Sequence, residues 1–377
     1  MGNEFFGPGS IHQLEGILGK RAPSRVFIVA GKRSFEQSGA GRALEKWLQG
    51  IDYRIHHDFR ENPDFDDLIR GAGRVREFQP DVIIAIGGGS AIDTAKIISV
   101  LPDDTQQAGK TVTGELAVTR KIAPLVVIPT TSGSGSEATH FAVAYKDDKK
   151  YSVAGNLLSP DYVIIDPELT YSLPPHQTAV SGMDALCQAV ESYWAESGND
   201  HSREMAADAI GTILPNLVNA VNRPGPESRL AMARGANLAG KAINVTKTTA
   251  PHALSYPLTT FYGIPHGHAV ALTLGEFLVL NAQKAKDYPD GKLAARMNNL
   301  FRLLGANDAE ESREKIRMIM DQTGLQTSLS GCIAAGHKAG HKADLHLILA
   351  HVNTERLQNH PVRLTGKDIA TIINTIM

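Results

Sequence analysis

Four apolar runs punctuate the first part of the chain: RVFIVA at 25–30, DVIIAI at 81–86, LVVIP at 125–129 and YVII at 162–165. Each is a near-continuous hydrophobic stretch, the pattern of strands buried on both faces of a parallel sheet. Each runs into a turn-rich segment and then a helical pattern, which is how an open α/β sheet delivers ligand loops to the carboxyl ends of its strands. The last run leads into Asp166-Pro167-Glu168-Leu169 and then Leu173-Pro174-Pro175, after which the strand signal stops. Beyond it, apolar residues recur at three- and four-residue spacing over 201–221, 226–243 and 269–281, the signature of amphipathic helices. The pattern predicts an α/β domain with a mostly parallel sheet at 1–172 and an all-α domain at 173–377.

Composition narrows the partners more than the fold. A chain of 377 residues, 42% hydrophobic and 21% charged, can bury two cores. With 38 basic and 40 acidic residues the net charge is −2, so no global field draws it to nucleic acid or anionic lipid, and a small-molecule partner is expected. Cys187 and Cys332 form no CxxC or spaced framework, which fits a reducing compartment. The opening MGNEFF lacks a basic region and an apolar stretch, and Phe6 stands where a myristoylation signal needs Ser or Thr. No apolar segment approaches the roughly 20 residues that span a bilayer, so a cytoplasmic location is expected.

Candidate chemistry gathers at the strand ends. Gly87-Gly88-Gly89-Ser90 follows the second run and opens a helical pattern containing Asp93 and Lys96. Glycines let backbone N–H groups approach an anion, and a helix N-terminus adds the positive end of its dipole. Taken alone, this loop could be an ordinary tight turn. The third run opens into Thr130-Thr131-Ser132-Gly133-Ser134-Gly135-Ser136-Glu137, whose hydroxyls and glycines suit a pyrophosphate and ribose. Two such loops at strand ends point to a dinucleotide.

The segments GGGSxxDxxK at 87–96 and PTTxGxGSE at 129–137 resemble the paired nucleotide motifs of iron-containing alcohol dehydrogenases. The resemblance begins at Phe6-Gly7-Pro8-Gly9, takes in Asn62-Pro63 and ends near Asn359-His360-Pro361, essentially the whole chain. It implies a dehydroquinate synthase-like two-domain plan, with Gly87, Gly88, Gly89, Ser90, Asp93, Thr130, Thr131, Ser134 and Lys150 at the dinucleotide. Gly31 stands where NAD-preferring relatives often carry Asp, and Lys32, Arg33 and Ser34 could each bind a phosphate. The expected cofactor is therefore NADP(H) rather than NAD(H).

The resemblance also implies a metal, Fe2+ or Zn2+, bound by Asp184, His252 and His266. A carboxylate offsets the cation, the imidazoles hold it, and an open position takes the substrate oxygen. The family pattern has His four residues after the Asp, where this chain has Gln188, which could ligate through its amide oxygen or contact a bound water. A site that has lost its ion is the alternative. Tyr256 replaces a further family histidine, and it and His268 are candidate proton carriers or packing residues. Lys241 and Lys247, near Thr248 and Thr249, either face solvent or suit an anionic group on the substrate. The run 247–256 is similar to the branch that reduces phosphonoacetaldehyde to 2-hydroxyethylphosphonate.

Reduction of a small, anionic aldehyde by a homodimer is the leading expectation. Simple-alcohol dehydrogenases, a dehydroquinate synthase-like lyase and a silent nucleotide-binding protein share the plan. His337 and His341, in GHKAGHK at 336–342, lie one helical turn apart, a spacing that can bind metal, but with no acidic or Cys partner at a ligand spacing they are read as a solvated helix face.

Overall fold

The computed structural model describes residues 2–147, 149–288, 291–335 and 344–377, so His337 and His341 lie outside the described residues. They fall into two compact units, Met1–Leu173 and Pro174–Met377.

The first unit contains eight strands: β1 (Asn3–Phe6), β2 (Arg25–Ala30), β3 (Asp52–His56), β4 (Val82–Gly87), β5 (Leu125–Pro129), β6 (Phe141–Lys146), β7 (Lys149–Ala154) and β8 (Tyr162–Ile165). Six of them form one sheet in the order β1-β8-β5-β4-β2-β3, and every pairing in it is parallel. From β2 the chain moves outward to β3, then returns to pair β4 on the other side of β2. That reversal opens a crevice at the carboxyl ends of β2 and β4, the usual ligand position in an open α/β sheet. The central strands are buried along nearly their whole length, which is why they read as unbroken apolar runs.

Sequence periodicity does not single out β3, because it is an edge strand and its first four residues, Asp52 to Ile55, are exposed. The β6–β7 hairpin is likewise a finding of the structure; it pairs antiparallel outside the main sheet, from Phe141↔Ala154 to Lys146↔Lys149. At the other edge β1 has β8 as its neighbour. There the Asp166 carboxylate accepts from the backbone N–H groups of Gly9 (3.2 Å), Ile11 (3.0 Å) and Glu168 (3.0 Å).

The second unit is helical, with no strand among its described residues. Its core is one large apolar cluster in which Trp194, Tyr262 and Phe277 are among the largest fully buried side chains. The helices that matter for chemistry are Pro175–Trp194, Pro226–Thr246, Ala250–Tyr262 and His266–Lys284. The stretch expected as one helix over 201–221 is two, Asp200–Ile213 and Leu217–Asn222. Pro215 lies in the break: it has no N–H to donate and disfavours helical geometry at the residue before it. Among the described residues no helix is long and apolar enough to cross a membrane.

Candidate active site

Three strand-end loops of the first unit meet at the β2/β4 crevice. The Thr130 N–H donates to the Gly87 carbonyl at 3.0 Å, tying the loop after β5 to the loop after β4. A Cβ built on Gly88 would lie 3.3 Å from the Thr131 side chain, and one on Gly89 only 2.8 Å from Ser134 Oγ. The space a side chain would need at 89 is thus already filled by the neighbouring loop. A Cβ on Gly87 would lie 3.5 Å from Ser34 Oγ and 3.6 Å from the Gly31 nitrogen, which brings in the loop after β2. Ser34 Oγ donates to the Gly31 carbonyl at 3.0 Å, while Lys32 and Arg33 are exposed in the first turn of the helix Lys32–Gln37. The helix Gly89–Ile98 starts in this cradle with Gly88 as its N-cap, and Ser90 Oγ accepts from the Asn62 N–H at 3.3 Å.

Asp93 and Lys96 point into the fold and hold the cradle's walls. Asp93 accepts from Ser136 Oγ (2.8 Å) and from the Val143 N–H of β6 (3.0 Å). Burial raises its pKa, against the nearby Lys96 ammonium, the two hydrogen bonds and the Lys150 charge on β7. Lys96 is fully buried and donates to the Thr139 carbonyl (2.7 Å), Thr139 Oγ1 (3.0 Å) and the Phe141 carbonyl (3.0 Å). Burial lowers its pKa to about 8, although Asp93 and Glu137 pull the other way. One helix therefore fixes both the second loop and the hairpin that carries Lys150.

In the helical unit, Asp184, His252 and His266 come together from three helices. Each offers a ligand atom within 4.8 Å of the others. Asp184 and His252 are buried and His266 is half-buried. His252 Nε2 stands 3.3 Å from Asp184 Oδ1, and the two imidazoles meet edge to face with centroids 5.2 Å apart. His266 Nδ1 is 3.2 Å from Ser255 Oγ, and the Tyr256 ring stacks on His266 at 6.2 Å. Gln188 is buried one turn after Asp184 on the same helix.

Close approach of two helices makes this cluster possible. A Cβ on Gly267 would lie 2.1 Å from the Val180 carbonyl oxygen and 2.8 Å from Asp184 Cβ, so only glycine lets the start of His266–Lys284 abut Pro175–Trp194 there. One carboxylate and two imidazoles with ligand atoms within 4.8 Å of one another form a donor set suited to a divalent cation.

Glu191 completes the cluster from behind, and nothing in the chain's motifs had singled it out. It is fully buried, bonds His252 Nδ1, and accepts from the Thr249 N–H (2.7 Å) and Thr249 Oγ1 (2.8 Å). Burial disfavours the His252 imidazolium, but Glu191 and Asp184 outweigh it and hold the pKa at about 9. The available signal was spacing: Asp184, Gln188 and Glu191 sit at i, i+4 and i+7 of one helix face.

His268 is not brought into this group. Its Nε2 is 2.7 Å from the Gln326 carbonyl and 3.5 Å from Cys332 Sγ, in the packing between helices. Lys241 is half-buried on the helix Pro226–Thr246, and Lys247 is exposed as its C-cap. Lys247 has φ 59° and ψ −176°, a conformation natural only to glycine. Bonds on both sides enforce it: Asn359 Nδ2 donates to the carbonyls of Thr246 (2.6 Å) and Thr248 (3.1 Å), and Ser197 Oγ donates to Thr246 O at 2.7 Å.

Two family descriptions account for nearly all of the sequence. "Iron-containing alcohol dehydrogenase" matches residues 3–167, and "Fe-containing alcohol dehydrogenase family, C-terminal" matches residues 178–377. The phosphonoacetaldehyde reductase of Streptomyces viridochromogenes is 33% identical over 299 residues, 76% of this chain and 74% of that one. The crystal structure of a sulfoacetaldehyde reductase from Bifidobacterium kashiwanohense in complex with NAD+ is 30% identical, with TM-score 0.87, covering 100% of this chain and 96% of that one. Aldehyde-alcohol dehydrogenase 2 of Entamoeba histolytica is 31% identical over 297 residues, and the match spans 75% of this chain but only 34% of that longer protein. A parallel dinucleotide-type sheet, a helical unit with an Asp-His-His cluster and matches to both halves lead to one conclusion: the chain belongs to the iron-containing alcohol dehydrogenase family.

Proposed function

We propose that this protein reduces a small anionic aldehyde to its primary alcohol: aldehyde, NADPH and a proton give alcohol and NADP+, reversibly. The observation that carries the reading is the Asp184, His252 and His266 cluster, with ligand atoms within 4.8 Å of one another. Fe2+ or Zn2+ held there would act as a Lewis acid toward the aldehyde oxygen, and the nicotinamide supplies the hydride. Gln188 would add a neutral amide oxygen or touch a bound water.

The chain's own residues do the rest. Gly87, Gly88, Gly89, Ser90, Thr130, Thr131 and Ser134 receive the dinucleotide phosphates and ribose, with Lys150 adding a positive charge and Asp93 fixing the loop. Lys32, Arg33 and Ser34 take a 2′-phosphate, because Gly31 presents no carboxylate to repel it. Tyr256, whose ring stacks on His266, is the residue we assign to hydrogen-bond the substrate and pass it a proton. We assign His268 no such role, since its Nε2 is engaged by the Gln326 carbonyl. Lys247, with Lys241 on the preceding helix, binds the anionic group of the substrate.

Phosphonoacetaldehyde is the leading substrate. Its support is the similarity to a phosphonoacetaldehyde reductase and to a sulfoacetaldehyde reductase, both named for anionic aldehydes, together with the lysines at 241 and 247. We further propose a homodimer in a reducing compartment, consistent with two buried free cysteines.

The test is NADPH oxidation by metal-analysed protein against phosphonoacetaldehyde, acetaldehyde and butanal, alongside NADH. The expected result is a clear preference for the anionic aldehyde and for NADPH, abolished by chelation and restored by the metal. Equal efficiency on all three aldehydes, with Lys247→Ala leaving the ratios unchanged, would remove the anion site from the proposal.

A further inference from the structure

Glu191 spends both carboxylate oxygens on two different jobs. Oε1 bonds His252 Nδ1, while Oε2 accepts from the backbone N–H and the hydroxyl of Thr249, the residue just before the helix Ala250–Tyr262 that carries His252. Thr249 Oγ1 also accepts from Trp194 Nε1 at 2.9 Å, which closes the group with a fully buried indole. An ionised carboxylate only accepts, so His252 Nδ1 must carry a hydrogen, and Nε2 is the nitrogen that can give up its proton and offer a lone pair to a cation. Nε2 is the atom that stands 3.3 Å from Asp184 Oδ1.

We propose that Glu191 is a positioning residue that locks His252 in its ligating tautomer, Nδ1–H toward Glu191 and Nε2 toward Asp184, and so sets the metal affinity of the cluster. This rests on reading Asp184, His252 and His266 as a metal site. A carboxylate behind a ligating imidazole fixes the ring's orientation and raises its basicity, and loss of such a partner lowers metal affinity roughly 10- to 100-fold. The effect matters more in this chain than in one with a third imidazole, because Gln188 offers only a neutral amide where the family resemblance implies histidine.

An amide at 191 cannot replace the carboxylate. It has one accepting end, while His252 Nδ1–H and the Thr249 N–H both require an acceptor. If its oxygen serves Thr249, its NH2 faces His252 Nδ1 and drives the hydrogen onto Nε2, the wrong nitrogen for a ligand.

The experiment is a Zn2+ titration of chelator-stripped, full-length wild-type and Glu191→Gln proteins by competition with a chromophoric chelator, with 15N histidine spectra of both. Wild type is expected to bind one Zn2+ with His252 protonated on Nδ1 and metallated on Nε2. Glu191→Gln is expected to bind it 10- to 100-fold more weakly, with the free His252 shifted to the Nε2–H tautomer. Equal affinities and unchanged tautomers would overturn the assignment while leaving the metal reading intact. A wild type that binds no Zn2+, Fe2+ or Co2+ would overturn that reading and this proposal with it. If the variant does not fold, the wild-type spectra still decide, because a Zn2+-bound His252 with hydrogen on Nε2 is incompatible with the proposal.

Discussion

At Lys247 the backbone does something a lysine resists. Among the described residues of the helical unit it is the one non-glycine residue with positive φ. Such a conformation costs about 1–3 kcal/mol and is kept only where surrounding bonds enforce it, as Asn359 and Ser197 do here. Lys247→Gly should therefore raise unfolding free energy by about 1 kcal/mol, the relieved strain less glycine's extra entropy in the unfolded chain. It should at the same time lower kcat/KM for phosphonoacetaldehyde while sparing butanal. Denaturant melts and a two-substrate comparison check both halves, and a variant that is less stable than wild type would contradict the strain argument.

A second residue-scale expectation concerns His360. It is buried beside Trp194 and Phe277, with Nε2 2.8 Å from Asn281 Oδ1, and burial lowers its pKa to about 3. The unfolded chain takes up a proton near pH 6.5, while the folded one stays neutral down to about 3. This residue's contribution is thus complete above pH 6.5 and declines as pH falls toward 3, by about 1.4 kcal/mol per pH unit. Urea unfolding at several pH values should show His360→Asn losing that component of the acid sensitivity. An identical slope in both proteins would show that His360 does not titrate in this way.

Among the elements, the helix pair joined at Gly267 is open to disruption by a single change. Gly267→Ala would put a methyl 2.1 Å from the Val180 carbonyl oxygen, so the start of His266–Lys284 must move and carry His266 with it. The expected result is a destabilisation above about 2 kcal/mol and loss of bound metal, read by calorimetry and elemental analysis.

Which elements were legible depended on burial. The strands 25–30, 81–86 and 125–129 announced themselves because both of their faces are covered, whereas β3 offered an exposed edge with no readable period. The hairpin β6–β7 was hidden because its strands are short and carry lysines at their joined ends, Lys146 and Lys149. Asp184, His252 and His266 were legible as motif residues. Glu191 was not, because a carboxylate that acts through a neighbour looks in sequence like any other acidic residue on a helix. His268 shows the converse, a histidine well placed in sequence whose ring is turned to a backbone carbonyl.

For the molecule as a whole, the proposed dinucleotide and metal residues fall in two different compact units, so ligands should protect them separately. NADPH is expected to slow amide exchange mainly within residues 1–173 and metal mainly within 174–377. At 100 times its dissociation constant, each ligand adds about 2.7 kcal/mol to the unit that binds it. Hydrogen exchange by mass spectrometry with each ligand alone would show this, and uniform protection across the chain by either one would contradict it.

The sheet order also fixes a sequence of events during synthesis. Strand β1 has as its sheet neighbour β8, made long after it, and their register joins Asn3 to Tyr162. A growing chain must therefore carry β1 unpaired until more than 150 further residues have left the ribosome. Closing so long a loop is slow, and until then the free edge of β5 is open to misplaced strands. The two bonds that Asp166, immediately after β8, accepts from the backbone N–H groups of Gly9 and Ile11 then act as the clasp that ends this vulnerable interval.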